Sequence, residues 1–427
     1  MAAGVAPERG RIVRICPNVV LVTIAMICLL YLTRLGAAGA GLFLLSGLVL
    51  LGREPTRTLW EARSFVLPML LCGFCVASTL WSNYPAVTLR YSVQLTLTFM
   101  IAIAIANRLS PIALLKIATV AYILAGIGSL VIGRAGENGI WFGIFESKNA
   151  FAQASTVLVV AGVAWICDRA QSVTWRLAGL FCVVLGLAEL VMAQSAGALI
   201  ATMGTVLLML TIMTMRRMTR LQRAFVATLA VAGMVGMVLF LTGYFEEFSH
   251  AFLQLTGKDV TLTGRTELWE IAFGQIQQHP LLGQGYKAVW VRGNPLAEAL
   301  WSYFDIKSRS GFHFHNTMIS NAVEIGVAGV LLQAGLFLSG LVFCVAWALR
   351  SPRAEVIFLA GLMLRQLLLM HSEVVFFTQF DAMSLLTVVA FVFGLRAARQ
   401  EKTRAALRRH AAEGRLRVLH RRPVAAQ

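Results

Sequence analysis

Apolar stretches long enough to cross a hydrocarbon layer recur from Val19 to Arg396, separated by short polar breaks. Within them the apolar residues run continuously, without the alternation of a barrel strand, so helices are predicted. Twelve spans are expected, at about 18–33, 35–51, 64–80, 88–106, 111–133, 150–167, 177–193, 196–215, 224–242, 316–349, 354–376 and 381–396. The first run ends at Arg34 without a small-residue cleavage pattern and another follows at once, so it reads as a span, not a signal peptide. Spans seven and eight almost touch at Gln194–Ser195, which demands a tight turn. As one helix the tenth would be about 50 Å long, so it is expected to start above the membrane or to break near Gly326 and Gly329.

Composition agrees with this pattern. Of 427 residues, 58% are hydrophobic and only 13% charged, too little polar material to cover a soluble globule of that size. A net charge of +17 would point to nucleic acid in a soluble protein, but its distribution points to topology instead. With the N-terminus placed in the cytoplasm, 26 of the 37 Lys and Arg fall on cytoplasmic segments, 10 fall outside and Arg365 lies within a span. Both termini are therefore expected inside, and the basic tail reads as a topology determinant or an anionic-lipid contact. The seven cysteines all fall in spans or at their cytoplasmic ends, so the long loop holds no disulfide framework.

Two outer loops carry information. Gly133–Asn149 joins Gly, aromatic residues and Glu137, Glu146 and Lys148 in what reads as an interfacial segment. Gly243–His313, 71 residues long, is the only long hydrophilic excursion and contains a helical pattern of Leu268, Trp269, Ala272, Phe273 and Ile276. Thr263 can cap that helix, and Pro280 with Gly283 stops it. Ionisable residues also fall in or near the expected outer leaflet: Arg90, Glu189, Glu324, His371, Glu373 and Asp381, with Arg365 near the midplane. Charges at that depth line a cavity or pair with one another, and the expectation here is an outward-facing polar cleft roofed by the long loop.

Candidate chemistry concentrates in that loop. Arg265 opens the amphipathic helix, where a cation beside free N–H groups makes an anion site for which phosphate is the natural ligand. His313-Phe-His315-Asn316 lies where the loop meets the membrane. Three readings compete for it: a metal pair, for which no third ligand is nearby in sequence, a general base, or an interfacial histidine with no task.

The segment from His315-Asn316 through Gly326-Val-Ala-Gly329-Val330 resembles the His-Asn, nine residues, Gly-x-x-Gly-aliphatic signature of the O-antigen ligase/polymerase family. Gly264-Arg-Thr-Glu-Leu-Trp269 with His279-Pro-Leu-Leu-Gly-Gln-Gly285 is similar to that family's long-loop helix. Trp81-Ser-Asn-Tyr-Pro85 through Arg90, and Phe145-Glu-Ser-Lys-Asn149, resemble two of its other outer segments. The wording of Phe312–Asn316 and Ser147–Asn149 looks closer to exopolysaccharide-production polymerases than to enterobacterial ligases.

The resemblance implies a donor of undecaprenyl-pyrophosphate-linked oligosaccharide and transfer to an acceptor saccharide or a lipid A core, with no metal, nucleotide or other cofactor. His315 would be the base and Arg265 would hold the pyrophosphate, with Arg90, Lys148, Asn149, Glu267, Trp269, Asn316, Glu324 and Arg365 as further substrate-binding candidates. The expected molecule is an all-α polytopic protein of the bacterial inner membrane. Its parts are a cytoplasmic N-terminus (1–17), helices one to nine (18–242), a long periplasmic loop (243–313), helices ten to twelve (314–396) and a basic cytoplasmic tail (397–427). Its expected partners are the bilayer and polysaccharide export or chain-length proteins, and not nucleic acid. A transporter is the competing class; it would call for paired broken helices in two related halves, and the sequence shows no such symmetry.

Overall fold

The computed structural model describes residues 16–136, 139–219, 221–226, 228, 229, 232, 265–309 and 312–420, with side chains to residue 408. Nearly all of the expected ninth span, the first part of the long loop with Thr263, and Glu137 lie outside the described residues. The described chain is helical apart from one small hairpin, as the continuous apolar runs require. Its helices are α1 (Pro17–Leu30), α2 (Leu32–Gly52), α3 (Pro55–Ser64), α4 (Val66–Ala77), α5 (Pro85–Arg108), α6 (Pro111–Val131), α7 (Lys148–Cys167), α8 (Val173–Ala193) and α9 (Ala196–Met215). After the undescribed stretch come α10 (Arg265–Gln278), α11 (Pro295–Tyr303), α12 (Thr317–Ala348), α13 (Ala354–Leu369) and α14 (Ala382–His420).

Eight of the described helices, α2, α5, α6, α7, α8, α9, α12 and α14, are long and apolar enough to cross a membrane. The protein is an all-α, multi-pass membrane protein, and large apolar side chains such as Val184, Ile200 and Leu207 stand on its outer surface. The expected count of twelve is not reached among the described residues. The third expected span, 64–80, is α4 with the short turn after it, and α3 meets it at a bend of 91°. Arg57 and Glu61 make the ten-residue α3 too polar to enter the apolar layer, so the apolar run begins at Val66. The first and eleventh expected spans are shorter, at 14 and 16 residues. The last helix runs on past 396 to His420, because the Ala, Arg, Glu and Leu that follow favour helix whether or not lipid surrounds them. Gln194 takes a left-handed conformation at φ 50°, which closes the tight turn between α8 and α9.

Two features shape the end of the bundle where α7, α12 and α14 begin and α13 finishes. The first is the hairpin of β1 (Arg134–Ala135) and β2 (Trp141–Gly143), which sequence periodicity does not reveal. Trp141 donates from Nε1 to the Ser129 carbonyl at 2.9 Å, tying the hairpin to the end of α6. The second is a break in α12 at Gly326, with φ 60° and ψ −175°. The freed backbone groups are taken up by the segment after α10. Val327 and Ala328 N–H donate to the carbonyls of Pro280 and Leu281 at 2.9 and 3.1 Å. Gln284 and Gly285 N–H donate back to the carbonyls of Val323 and Glu324 at 3.0 and 2.8 Å. Irregular backbone at this depth is tolerated only when so satisfied. Gly283, at φ 67°, and Gly326 lie against each other's strands so closely that a Cβ on either would strike backbone. Two motifs some forty residues apart thus meet as one joint.

The loop helix α10 buries Leu268 and Ala272 in a small core with Val289, Leu300, Phe314 and Val323. Phe273, expected on that face, is instead exposed, because the helix packs on the loop's own residues and on α12 over a narrow stripe only.

Candidate functional site

Residues 312–316 run into α12 without helix or strand. Phe314 turns inward and is fully buried, and the Trp269 indole N–H holds its carbonyl at 2.8 Å. His313 and His315 turn together to the other side, ring centroids 4.3 Å apart, and line a cavity of about 670 Å³. His315 has a positive φ of 48°, a conformation that side chains with a Cβ adopt rarely and that clusters at functional sites. Asn316 follows as the cap of α12, its side-chain oxygen accepting from the N–H of Met318 and Ile319, both at 3.0 Å.

Opposite the histidines stands Glu373, from the segment between α13 and α14, its side chain 9% exposed. Its two carboxylate oxygens have different company. Oε1 accepts from Asn149 Nδ2 at 2.8 Å and from Arg265 Nη2 at 3.1 Å. Oε2 faces His313 Nε2 at 3.9 Å and His315 Nδ1 at 3.6 Å, and that buried His315 nitrogen has no hydrogen-bond partner. The Thr317 hydroxyl donates to the Glu373 carbonyl at 2.7 Å and so fixes the carboxylate's segment to the start of α12. Sequence reasoning placed Glu373 in the cleft but gave it no role; its partners lie 224, 108 and 58 positions away, and no local pattern connects them.

The three side chains could offer ligand atoms to a metal, all within 4.8 Å of one another. Glu373 is thus the third neighbour that the sequence lacked. The hydrogen bonding fits a metal poorly. His313 Nδ1 accepts from the His315 backbone N–H at 3.1 Å, so a neutral ring carries its proton on Nε2, the nitrogen that faces Glu373. Burial first, then the neighbouring His315, Lys287 and Arg265, push His313 from its ordinary 6.5 down to about 3, which keeps the ring neutral. A metal through Nε2 would need the lone pair that this tautomer lacks. His315 is differently placed: a proton on Nδ1 would face the carboxylate and leave the lone pair on Nε2 to act as a base.

A second group enters from the joint at Gly326. Glu324 accepts from the Lys287 backbone N–H at 3.1 Å, and the Lys287 ammonium lies 3.9 Å from the same oxygen. Both line the cavity with Trp290, Phe312 and Asn321. Its far wall carries Glu146 and Asp381; burial and the Asp381 charge hold the Glu146 carboxyl above its usual range.

The remaining candidates divide. Asn149 and Glu324 reach the cavity. Lys148 opens α7 next to lining residues Ser147 and Asn149 but does not line it itself. Trp269 and Asn316 act on backbone, latching and capping the histidine segment. Glu267 is exposed and accepts from the Tyr303 hydroxyl at 3.1 Å. Arg90 is exposed and stacks its guanidinium 4.5 Å from the Tyr91 ring centre, away from the cavity lining. Arg365 corrects the sequence expectation most clearly. It is fully buried, donates to Thr156, to Gln366 at 2.5 Å and to the Gln153 carbonyl at 2.7 Å, and so ties α13 to α7 without reaching the cavity. An isolated guanidinium in an apolar bundle needs such partners more than it can serve a ligand.

Residues 181–334 match the O-Antigen ligase family. That stretch carries Arg265, His313, His315, Glu324 and the Gly326 joint, and leaves Asn149 and Glu373 outside. Over 76 residues the chain is 54% identical to the exopolysaccharide production protein ExoQ of Rhizobium meliloti. The aligned part is 18% of this chain and 18% of that relative, so the chain spans under a fifth of the relative's length in this match. The family resemblance expected from the motifs is borne out by both; the motifs at Trp81–Arg90 and Phe145–Asn149 lie outside the family match.

Proposed function

We propose that this protein is a membrane glycosyltransferase of cell-surface polysaccharide biosynthesis that moves a glycan from undecaprenyl pyrophosphate to an acceptor saccharide hydroxyl. The observation that carries the reading is the convergence of His315 and Glu373 on one polar cavity at one end of the bundle, with Arg265, which does not itself line the cavity, paired to Glu373. His315 Nε2 takes the acceptor hydroxyl proton as that oxygen bonds to the anomeric carbon, and the bond from that carbon to the pyrophosphate oxygen breaks. The leaving undecaprenyl pyrophosphate departs against Arg265, whose fork suits phosphate oxygens. A single displacement of this kind inverts the anomeric carbon and uses the protein's own base.

The site faces the outside of the inner membrane, with both termini cytoplasmic, on the split of basic residues between the two sides. Polymerisation is favoured over transfer to a lipid A core by the similarity to an exopolysaccharide production protein. The test is purified protein in liposomes with a defined lipid-linked oligosaccharide and no nucleotide. Longer lipid-linked chains are expected; transfer to lipid A core would make the protein a ligase, and translocation without new linkages would make it a transporter.

A further inference from the structure

Arg265 and His315 compete for one carboxylate. In the structure Arg265 and Asn149 share Glu373 Oε1, while Oε2 stops 3.6 Å short of His315 Nδ1. A buried ring nitrogen without a partner is costly, so this arrangement is not the one in which the imidazole is best held. Arg265 contacts Glu373 through Nη2 alone, and the Glu373 carboxylate is a weaker match for its charge than a pyrophosphate group would be.

Resting on the reading of Arg265 as the pyrophosphate ligand, we infer that Glu373 is a positioning residue exchanged between Arg265 and His315 when the donor binds. Pyrophosphate takes the Arg265 guanidinium, and the released carboxylate closes the remaining gap to accept from His315 Nδ1–H. That contact fixes the tautomer with the lone pair on Nε2 and stabilises the imidazolium formed when the acceptor proton arrives. Donor occupancy thereby arms the base, and the acceptor is deprotonated only when a leaving group is in place. The charged and titratable groups about His315 are His313 on its own segment, Glu373 between α13 and α14, Arg265 on α10 and Lys287 ahead of α11, which Glu324 of α12 pairs. Lys287 and Glu324 stay joined through the Lys287 N–H even when the ammonium turns to an anion, whereas the Arg265 to Glu373 contact is made by side chains alone.

The experiment is an imidazole titration followed by nitrogen NMR on full-length histidine-labelled protein in nanodiscs, with inorganic pyrophosphate as the probe. His315 signals are identified by their loss in His315→Gln. In the wild-type protein pyrophosphate should raise the His315 titration midpoint. In Glu373→Gln the rise should shrink to the small direct effect of the anion. In Arg265→Ala, where the carboxylate is already released, the midpoint should be high before pyrophosphate is added and should not move on addition. An unchanged wild-type midpoint, an equal rise in Glu373→Gln, or a low starting midpoint in Arg265→Ala would each overturn the exchange. Turnover by Glu373→Gln should fall by roughly 10²-fold or more, as when the carboxylate behind a catalytic imidazole is neutralised. The titration needs no transfer activity, so it can fail while the glycosyltransferase reading stands. Normal transfer by His315→Ala would instead remove that reading and leave the titration result as chemistry of the cleft alone.

Discussion

Two clusters of ion pairs occupy opposite ends of this bundle. Where α3 meets the end of α5, Glu61 receives Arg57 Nε at 2.9 Å and Arg108 Nη2 at 3.1 Å, and Arg108 also reaches the Leu50 carbonyl and Thr58. The Arg108 and Glu61 side chains are 1% and 2% exposed. At the other end Arg265 and Glu373 meet at the same 3.1 Å but are 24% and 9% exposed, beside histidines at 3.6 and 3.9 Å and an open cavity. Distance does not separate the two pairs. The first is closed and nearly satisfied, with Arg108 Nε its one unpartnered atom, and serves to hold α3 on α5. The second is under-satisfied and accessible, which is what a site that must exchange partners with a ligand requires.

The sharpest way to break this contrast is at His315. His315→Ala should lose on the order of 10²-fold or more in single-turnover transfer, with His313→Ala losing little, since the neutral Nε2–H tautomer of His313 offers no base. Near-normal transfer by His315→Gln would reduce the residue to a hydrogen-bonding positioner. Equal failure of both Ala variants together with inhibition by chelator would restore the metal reading.

Arg265 comes next. Arg265→Ala should reduce transfer by about 10²–10³, the usual loss when one preorganised charge-stabilising donor is removed, and Arg265→Lys should recover part of it. Full activity of the Ala variant at equal protein level would end its assignment to the leaving group.

At the opposite end the same operation should leave transfer per folded molecule unchanged and cost stability instead. Glu61→Ala strands Arg108 in a buried position and should destabilise by about 3–5 kcal/mol, read from thermal unfolding in detergent. A Glu61→Ala protein as stable as wild type, or stable but inactive, would erase the distinction between the two ends.

The smallest effect concerns acid. His313 is held at about 3 while a histidine in the unfolded chain titrates near 6.5, so between these values the unfolded state binds more protons. Stability from this group is therefore fully present above about 6.5 and is lost as pH falls toward 3. His313→Gln should flatten the decline of the unfolding midpoint between pH 6.5 and 5; an unaltered slope would show that the histidine is protonated in the folded protein.

Much of the architecture is legible in the chain itself. Continuous apolar runs longer than a bilayer needs leave helices as the only way to satisfy the backbone, and the length of the run after Asn316 calls for a start above the membrane or a break near Gly326 and Gly329, of which the structure has the break at Gly326. Arg265 is visible at a helix start and the two histidines at a loop-to-helix junction, but only the family resemblance selects His315 over His313. What the tertiary structure decided is which charges meet. Arg365 and Glu373 look alike in sequence, two ionisable residues eight positions apart in one apolar run. Packing surrounds Arg365 with Thr156, Gln153 and Gln366 and leaves it nothing to offer, while the turn after α13 carries Glu373 to Arg265, Asn149 and the histidines. The hydrophobic period sets only that a residue is in the membrane and at what depth. Whether its charge is consumed by neighbours or kept for a ligand depends on long-range partners, which the chain brings together only by folding.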